Sequence, residues 1–220
     1  MNDQSPRVSS STSSFHSLNT IVLDSDEQLE YASPMSEGDA MISSNLEYAK
    51  NKAKIRITGG SARKRSIVKK AARWMLGYTL GKRLANNIEL NIRLAEDLVG
   101  TRFYGSVIWE DDNHRPRSYD MELCNYLNDR TLMRVLAHEV VHIRQYATGD
   151  LKDLATQANY CKWKNKLVLA EGPGSGSYFN LPWEVEARRD QEVILREWKK
   201  ANGYHFRQKT GILYNDSGDV

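Results

Sequence analysis

The sequence predicts an α+β domain. Its 220 residues contain stretches with helical spacing of apolar residues and stretches in which apolar and polar residues alternate. The predicted segments are a helix at 62–85, strands at 88–94, 104–109 and 119–123, and helices at 132–146 and 183–200. A hairpin is expected at 160–169, between the last two helices. This order predicts a small sheet between an N-terminal helix and two later helices.

Each helix carries its own start or stop signal. Two glycines at 59 and 60 interrupt the chain before the first helix. Asn128 or Asp129 can cap the start of the second helix, and Gly149 can end it. Pro182 stands near the start of the last helix, where the missing N–H costs little. The strands are predicted from alternation, as in Ile88, Leu90, Ile92 and Leu94.

The distribution of charge divides the chain into four parts. Residues 1–49 are serine-rich and hold eight acidic side chains against one basic one, a composition typical of a disordered segment. Residues 50–61 are basic and are interpreted as a linker. The domain is expected to span 62–200, and 201–220 is interpreted as a loosely held tail.

The composition also excludes several classes of protein. No run reaches the roughly 18 apolar residues of a membrane-spanning helix. The N-terminus lacks the basic and apolar regions of a secretory signal. The two cysteines, Cys124 and Cys161, form no CxxC pair and indicate a reducing compartment. We therefore expect a cytoplasmic protein, or a virus-encoded one in the host cytoplasm or the virion.

The motif with the clearest chemistry is HEVVH at residues 138–142, an HExxH inside a predicted helix. Residues four apart lie on one helical face, so His138 and His142 can point two imidazoles at one metal ion. Zn²⁺ prefers tetrahedral nitrogen, oxygen or sulfur donors and keeps one position open for water in catalytic sites. Glu139 can then take the proton of that water as a general base.

A zinc site of this kind needs a third protein ligand, and the sequence leaves several open. The downstream candidates are Glu184, Glu186, Asp190 and His205. Glu184 and Glu186 lie about 200° apart on a helix, so only one of them can face the metal well. Glu184 is preferred because the small Ala187 would let two helices approach closely. Asp190 could instead orient a histidine from outside the ligand set.

The motifs HEVVHIRQYATGD and LPWEVEA, with Trp163 and Tyr178, resemble the small SprT-like or minigluzincin HExxH proteins, many of them phage-encoded. The resemblance covers about residues 62–200. It implies a compact minigluzincin-like zincin core with an N-terminal helix, a three-stranded sheet, the HExxH helix and a helix carrying the ligand glutamate. It also implies that residues 118–125 form an edge strand over the active site, which pairs with an extended peptide.

The resemblance implies the roles of the site residues as well. His138, His142 and Glu184 would bind Zn²⁺, with Glu139 as the base, and Glu186 remains the alternative ligand left open by the spacing. A peptidase must also stabilise the oxyanion of its tetrahedral intermediate. The phenols of Tyr146 and Tyr178 are candidates, and plain packing is the alternative for each. The expected activity is peptide-bond hydrolysis by a zinc-bound water.

The first helix suggests a second kind of partner. Its basic side chains could contact the phosphates of DNA, independently of base sequence, or bind another acidic partner. They are Arg63, Lys64, Arg65, Lys69 and Lys70. The alternative function is a non-catalytic, zinc-stabilised binding protein associated with a virion or nucleoid. An intact Glu139 favours the enzyme, because a structural metal site needs only ligands.

Overall fold

The structure is a computed structural model that describes residues 19–20, 47–96, 98, 104–111, 113–154, 159–170 and 177–203. Its strands are β1 (Asn19–Thr20), β2 (Lys54–Gly59), β3 (Glu89–Ala95), β4 (Gly105–Trp109), β5 (Ser118–Cys124), β6 (Leu151–Asp153), β7 (Tyr160–Trp163) and β8 (Lys166–Leu169). Its helices are α1 (Ala62–Ala85), α2 (Asp129–Thr148) and α3 (Pro182–Asn202), with a short 3-10 turn at Tyr178–Asn180. The α+β class predicted from the sequence is confirmed.

The main sheet of the described residues has the strand order β1-β4-β5-β3-β2. Strands β2, β3 and β5 run parallel, whereas β4 is antiparallel to β5, and β1 is antiparallel to β4. Inward-facing residues alternate along the inner strands, as Leu90, Ile92 and Leu94 do in β3. One face of the sheet is therefore apolar, and the opposite face carries polar and charged side chains.

Helices α1 and α2 pack against the main sheet, and α3 packs against both of them. The Asn128 side chain accepts a hydrogen bond from the Thr131 N–H and caps α2, while Gly149 ends this helix in the left-handed conformation. Trp74 of α1 and Trp198 of α3 are each 1% exposed, so both outer helices contribute to one core. Helix α2 is central and almost wholly buried.

Residues 54–59, interpreted from the sequence as part of a linker, form strand β2 instead. Ile55 and Ile57 alternate with Lys54, Arg56 and Thr58, which is the pattern of a strand with one buried face. The basic residues lie on the exposed face, where Lys54 and Arg56 both pair with Glu89 of β3. The sheet thus has more than the three strands expected.

The prediction that residues 118–125 form an edge strand is wrong. Strand β5 lies inside the sheet, paired with β3 through seven residues on one side and with β4 through five on the other. Its backbone groups are therefore occupied and cannot receive a peptide. Strand β4 lies on the outer side of β5, and β1 pairs with it through only two residues, Asn19 and Thr20.

The remaining described elements form a small sheet beside α3. Strands β6, β7 and β8 are antiparallel, and β7 and β8 form the predicted hairpin. The ring of Trp163 lies 6.3 Å from that of Trp183, which brings the hairpin against the start of α3. No helix among the described residues is long and apolar enough to cross a membrane.

The ends of the chain are described only in part. Within the segment 1–49, interpreted as disordered, β1 pairs with β4, and Tyr48 packs edge-on against Trp74 and Tyr78. The rest of that prediction, at 1–18 and 21–46, lies outside the described residues. So does the tail at 204–220, with His205, one of the candidate ligands.

Candidate metal centre

Two buried helices bring three candidate ligands together. His138 and His142 lie one turn apart on α2, and Glu184 lies in the first turn of α3. The Nε2 atoms of the histidines are 3.0 Å apart. The Glu184 carboxylate lies 3.3 Å from Nε2 of His138 and 3.4 Å from Nε2 of His142. All three side chains are at most 3% exposed.

Two glutamines orient the histidine rings. The Nδ1 of His142 lies 2.8 Å from the Gln145 Oε1, and the Nδ1 of His138 lies 3.0 Å from the Gln191 Oε1. Gln145 donates through its Nε2 to the Trp183 carbonyl, which fixes its oxygen towards His142. A carbonyl oxygen only accepts, so each Nδ1 carries the ring proton and each Nε2 presents a lone pair.

The resulting arrangement is that of a cation site. Two imidazole nitrogens and a carboxylate converge, with separations of 3.0, 3.3 and 3.4 Å. Ligand atoms about 2.0–2.1 Å from a tetrahedral metal are about 3.3 Å apart, close to the three separations between these groups. The His-His-Glu group can therefore hold a metal ion. Without a cation, the three facing acceptors would repel one another.

The protonation of the group suits metal binding. Burial lowers the pKa of His142 to about 4, so its ring is neutral near pH 7. Burial alone would raise the pKa of Glu184, but the two histidines and the Tyr178 hydroxyl outweigh it and lower this pKa to about 2. A neutral imidazole at His142 and an ionised carboxylate at Glu184 are the forms that bind metals.

Glu139 lies beside this group, and its carboxylate makes no hydrogen bond to the described residues. The side chain is fully buried. Burial, and then the charge of Glu184, raise the pKa of Glu139 well above its usual value. A buried acid in this state is costly to stability, which is typical of a group that is kept for function.

Strand β4 approaches Glu139 closely because it begins with a glycine. A Cβ atom built on Gly105 would lie 3.0 Å from Glu139 Oε1 and 2.5 Å from a methyl carbon of Val135. Only a residue without a side chain fits between the strand and helix α2 at this point. The β4 backbone is therefore next to the carboxylate.

Glu186, the alternative ligand, is not one of the three converging groups and belongs to a polar cluster between α3, α2 and the β7–β8 hairpin. Its carboxylate pairs with Arg144, lies 2.9 Å from the Lys164 Nζ, and accepts a hydrogen bond of 3.1 Å from Gln145. Asp190 pairs with Arg144 at 3.3 Å. The expectation that Asp190 would orient a histidine is wrong, because the next residue along α3, Gln191, makes that contact.

The two tyrosines predicted for catalysis have different surroundings. The Tyr178 hydroxyl donates to the Glu184 Oε1 at 2.8 Å, so this phenol touches the centre directly. The ring of Tyr146 packs on Trp109 of β4, with the ring centroids 4.1 Å apart. Tyr178 thus helps to hold the carboxylate in place. The role of either phenol towards an oxyanion stays a prediction.

Three of the five basic residues predicted to contact nucleic acid make contacts within the protein. Arg63 pairs with Asp129, Lys64 donates to the backbone carbonyls of Asn125 and Leu127, and Arg65 donates to those of Gly59 and Gly60. They join the start of α1 to the loops before α1 and α2. Lys69 and Lys70 are exposed.

Sequence reasoning missed the two glutamines and the glycine of this site. Gln145 had a signal, since it follows His142 by three residues and shares its helical face. Gln191 and Gly105 had none, because their roles depend on how α3 and β4 pack against α2.

A comparison of the chain with family models, with curated proteins and with solved structures finds no match.

Proposed function

We propose that this protein is a zinc-dependent metallopeptidase that hydrolyses peptide bonds. The observation that carries the proposal is the buried convergence of His138, His142 and Glu184 beside Glu139, whose carboxylate has no hydrogen-bond partner in the described part of the chain. A site that served only to hold a metal would need the three ligands and not the fourth group. The isolated carboxylate is explained by a role in proton transfer.

Zinc fits the donor set better than the hard cations do. Two imidazole nitrogens and one carboxylate oxygen are the ligands of a catalytic zinc site, which leaves a fourth position open. Ca²⁺ and Mg²⁺ prefer oxygen donors only, and more of them. Other first-row metals accept the same donors, so the choice of zinc among these metals is part of the proposal.

The chain supplies the proton transfers of the proposed hydrolysis. When bound, a zinc ion acidifies a water molecule and polarises the scissile carbonyl. Glu139 accepts a proton from the attacking water and passes it to the departing amide nitrogen. Gln145 and Gln191 keep the imidazoles in the tautomer that leaves Nε2 free, and Tyr178 holds the Glu184 carboxylate.

We assign the substrate to strand β4 rather than to β5. An extended peptide can add its backbone to the edge of a sheet, and the side chains of alternate residues then supply specificity. Strand β5 has no free edge. Among the described residues, the outer edge of β4 pairs only with the two residues of β1. At Gly105 this edge starts next to Glu139.

Metal removal gives the direct test of the proposal. We expect an unstructured protein such as casein to be cleaved by the protein as purified with zinc. Treatment with a strong chelator should stop cleavage, and stoichiometric zinc should restore it. Far-ultraviolet circular dichroism of the chelated protein controls for unfolding. Unchanged cleavage in a sample that metal analysis shows to be metal-free would refute a metal-dependent mechanism.

The glutamines allow a second test that does not depend on activity. Gln191→Leu removes the acceptor for the His138 Nδ1 proton but keeps the bulk of the side chain. We expect zinc affinity, measured by competition with a chromophoric chelator, to fall about 10–100-fold. Glu192→Leu, at the next residue of α3, is the matched control, because Glu192 pairs with Arg134 and does not contact either histidine ring. Wild-type affinity in the Gln191→Leu variant would show that this contact does not support the metal site.

Contact of α1 with nucleic acid stays a prediction. The exposed Lys69 and Lys70 can reach a phosphate backbone, but Arg63, Lys64 and Arg65 have partners within the protein. Binding by few contacts of this kind is weak and falls steeply with salt. The binding-protein alternative therefore has less support than the peptidase.

A further inference from the structure

The edge of the sheet beside the centre has an occupant from the same chain. Strand β1 pairs antiparallel with β4 on the side away from β5, with Asn19 opposite Val107 and Thr20 opposite Ser106. This is the edge on which an extended peptide would add. An N-terminal residue pair is thus bound in the manner expected of a substrate backbone.

Strand β1 runs along β4 towards Glu139, the proposed catalytic carboxylate. From Asn19 to Thr20 the chain advances along β4 from Val107 to Ser106, and Gly105 comes next on β4. Gly105 is the residue whose absent side chain lets β4 contact Glu139. Backbone bound on this edge therefore lies alongside the proposed reaction centre and not at a remote end of the sheet.

The centre is closed in this structure. Glu139 and His142 are 0% exposed, and His138 and Glu184 are each 2% exposed. A peptide bond must touch this group to be hydrolysed, so a substrate cannot react while the protein keeps this conformation. The protein must therefore change conformation before a substrate can reach the centre. Strand β1 occupies the edge of β4 to which a substrate would pair.

We propose that residues 19–20 are an intramolecular competitor of peptide substrates for the β4 edge. This inference rests on the proposed peptidase function, because it assigns a regulatory role to the substrate edge of that site. A tethered segment acts at an effective concentration of the order of millimolar, so even a weak pairing can outcompete dilute peptide. Two paired residues are also few enough for the segment to be displaced, which makes the inhibition reversible.

Competition at the edge predicts a defined kinetic effect. The segment lowers the fraction of protein that can bind a peptide, so it raises KM by the reciprocal of that fraction. It does not touch the reacting groups once the substrate has displaced it, so kcat should be unaffected. Regulation by removal of the segment would then act on affinity.

The test uses the full-length protein with both residues of β1 replaced by proline. Asn19→Pro with Thr20→Pro removes both backbone N–H groups and disfavours pairing whichever of them faces β4. Asn19→Thr with Thr20→Val is the matched control, because it keeps both N–H groups and the preference for strand conformation. Both variants leave the metal ligands and Glu139 untouched.

Two measurements on these proteins do not depend on catalysis. Hydrogen exchange at Ser106 and Val107, the residues of β4 opposite β1, should be faster in the proline variant than in the wild type and the control. A labelled peptide copying residues 17–24 should bind the proline variant about tenfold more tightly, as expected if the competitor holds about nine tenths of the edge. Equal exchange and equal peptide binding in all three proteins would overturn the inference.

Kinetics distinguish failure of this inference from failure of the peptidase proposal. If the enzyme is active, the proline variant should show a lower KM and the same kcat, and an unchanged KM would contradict the competition. If none of the proteins cleaves any peptide with zinc bound, the peptidase proposal fails. Exchange and peptide binding would then still decide whether β1 occupies the edge.

Discussion

Replacement of Glu139 by glutamine is expected to abolish peptide cleavage while zinc stays bound. The amide matches the carboxylate in size but cannot accept the proton of the attacking water. Loss of a general base lowers kcat by about 10²–10⁴-fold. Glu139 is not among the three converging ligand groups, so zinc content and affinity should be retained.

The same substitution should not destabilise the protein. Glu139 is fully buried, and its carboxylate oxygens have no hydrogen-bond partner among the described residues. A neutral amide avoids the cost of a buried charge, so the melting temperature of Glu139→Gln should equal or exceed that of the wild type. Loss of activity together with retained stability would identify a group that is kept for chemistry.

Glu122→Gln provides the control for this experiment. Glu122 lies on the opposite face of the sheet, half exposed, and pairs there with Arg93. Its replacement also removes one carboxylate, but at a distance from the centre, and should leave kcat unchanged. Full cleavage activity in the Glu139 variant, with casein as substrate, would exclude this residue as the base.

The sequence predicted the local elements well because their signals are local. Helix α2 is marked by an amphipathic pattern, by the cap at Asn128 and by Gly149, and the structure uses both end signals. The three middle strands follow from alternation. The HExxH spacing places two imidazoles on one helical face for the same reason: the helix repeat alone decides it.

What the sequence could not predict depends on the pairing of distant segments. Strand β5 is internal because β3 pairs with it in parallel on one side and β4 pairs with it on the other, and no residue of β5 indicates the pairing with β3. Strand β2 was not predicted because residues 50–61 were interpreted as a linker from their basic charge. The alternation of Ile55 and Ile57 with polar residues was not considered. A count of charge ignores the face on which each side chain lies.

The neighbours of the candidate metal ligands were missed because they are neutral. The sequence analysis considered the charged Asp190 as the group that orients a histidine, but glutamine carbonyls orient both histidines. A neutral acceptor fixes the imidazole tautomer without adding negative charge to a buried group that already holds Glu184 and Glu139. The negative charge already present in the centre thus explains why the amides of Gln145 and Gln191, and not a carboxylate such as that of Asp190, orient the histidines.

The choice between the two glutamates of α3 gives the second large effect. Glu184→Ala should lower zinc affinity more than about 100-fold, beyond the roughly 10–100-fold effect of residues outside the ligand set. Its carboxylate lies 3.3 and 3.4 Å from the two histidine nitrogens, and no other carboxylate joins this cluster among the described residues. Zinc content after dialysis and chelator competition measure the loss.

Glu186→Ala, two residues away, is the matched control, and it should affect stability instead of metal binding. It breaks the ion pairs with Arg144 and Lys164, for which we expect a cost of about 0.5–3 kcal/mol and a lower melting temperature. Gln145 keeps its hydrogen bond to the Trp183 carbonyl, so His142 stays oriented and zinc is retained. Equal zinc loss in both variants, or a greater loss in the Glu186 variant, would contradict the assignment of Glu184. The opposite responses of two glutamates on the same helical turn would show that the position of a carboxylate, and not its charge alone, creates the metal site.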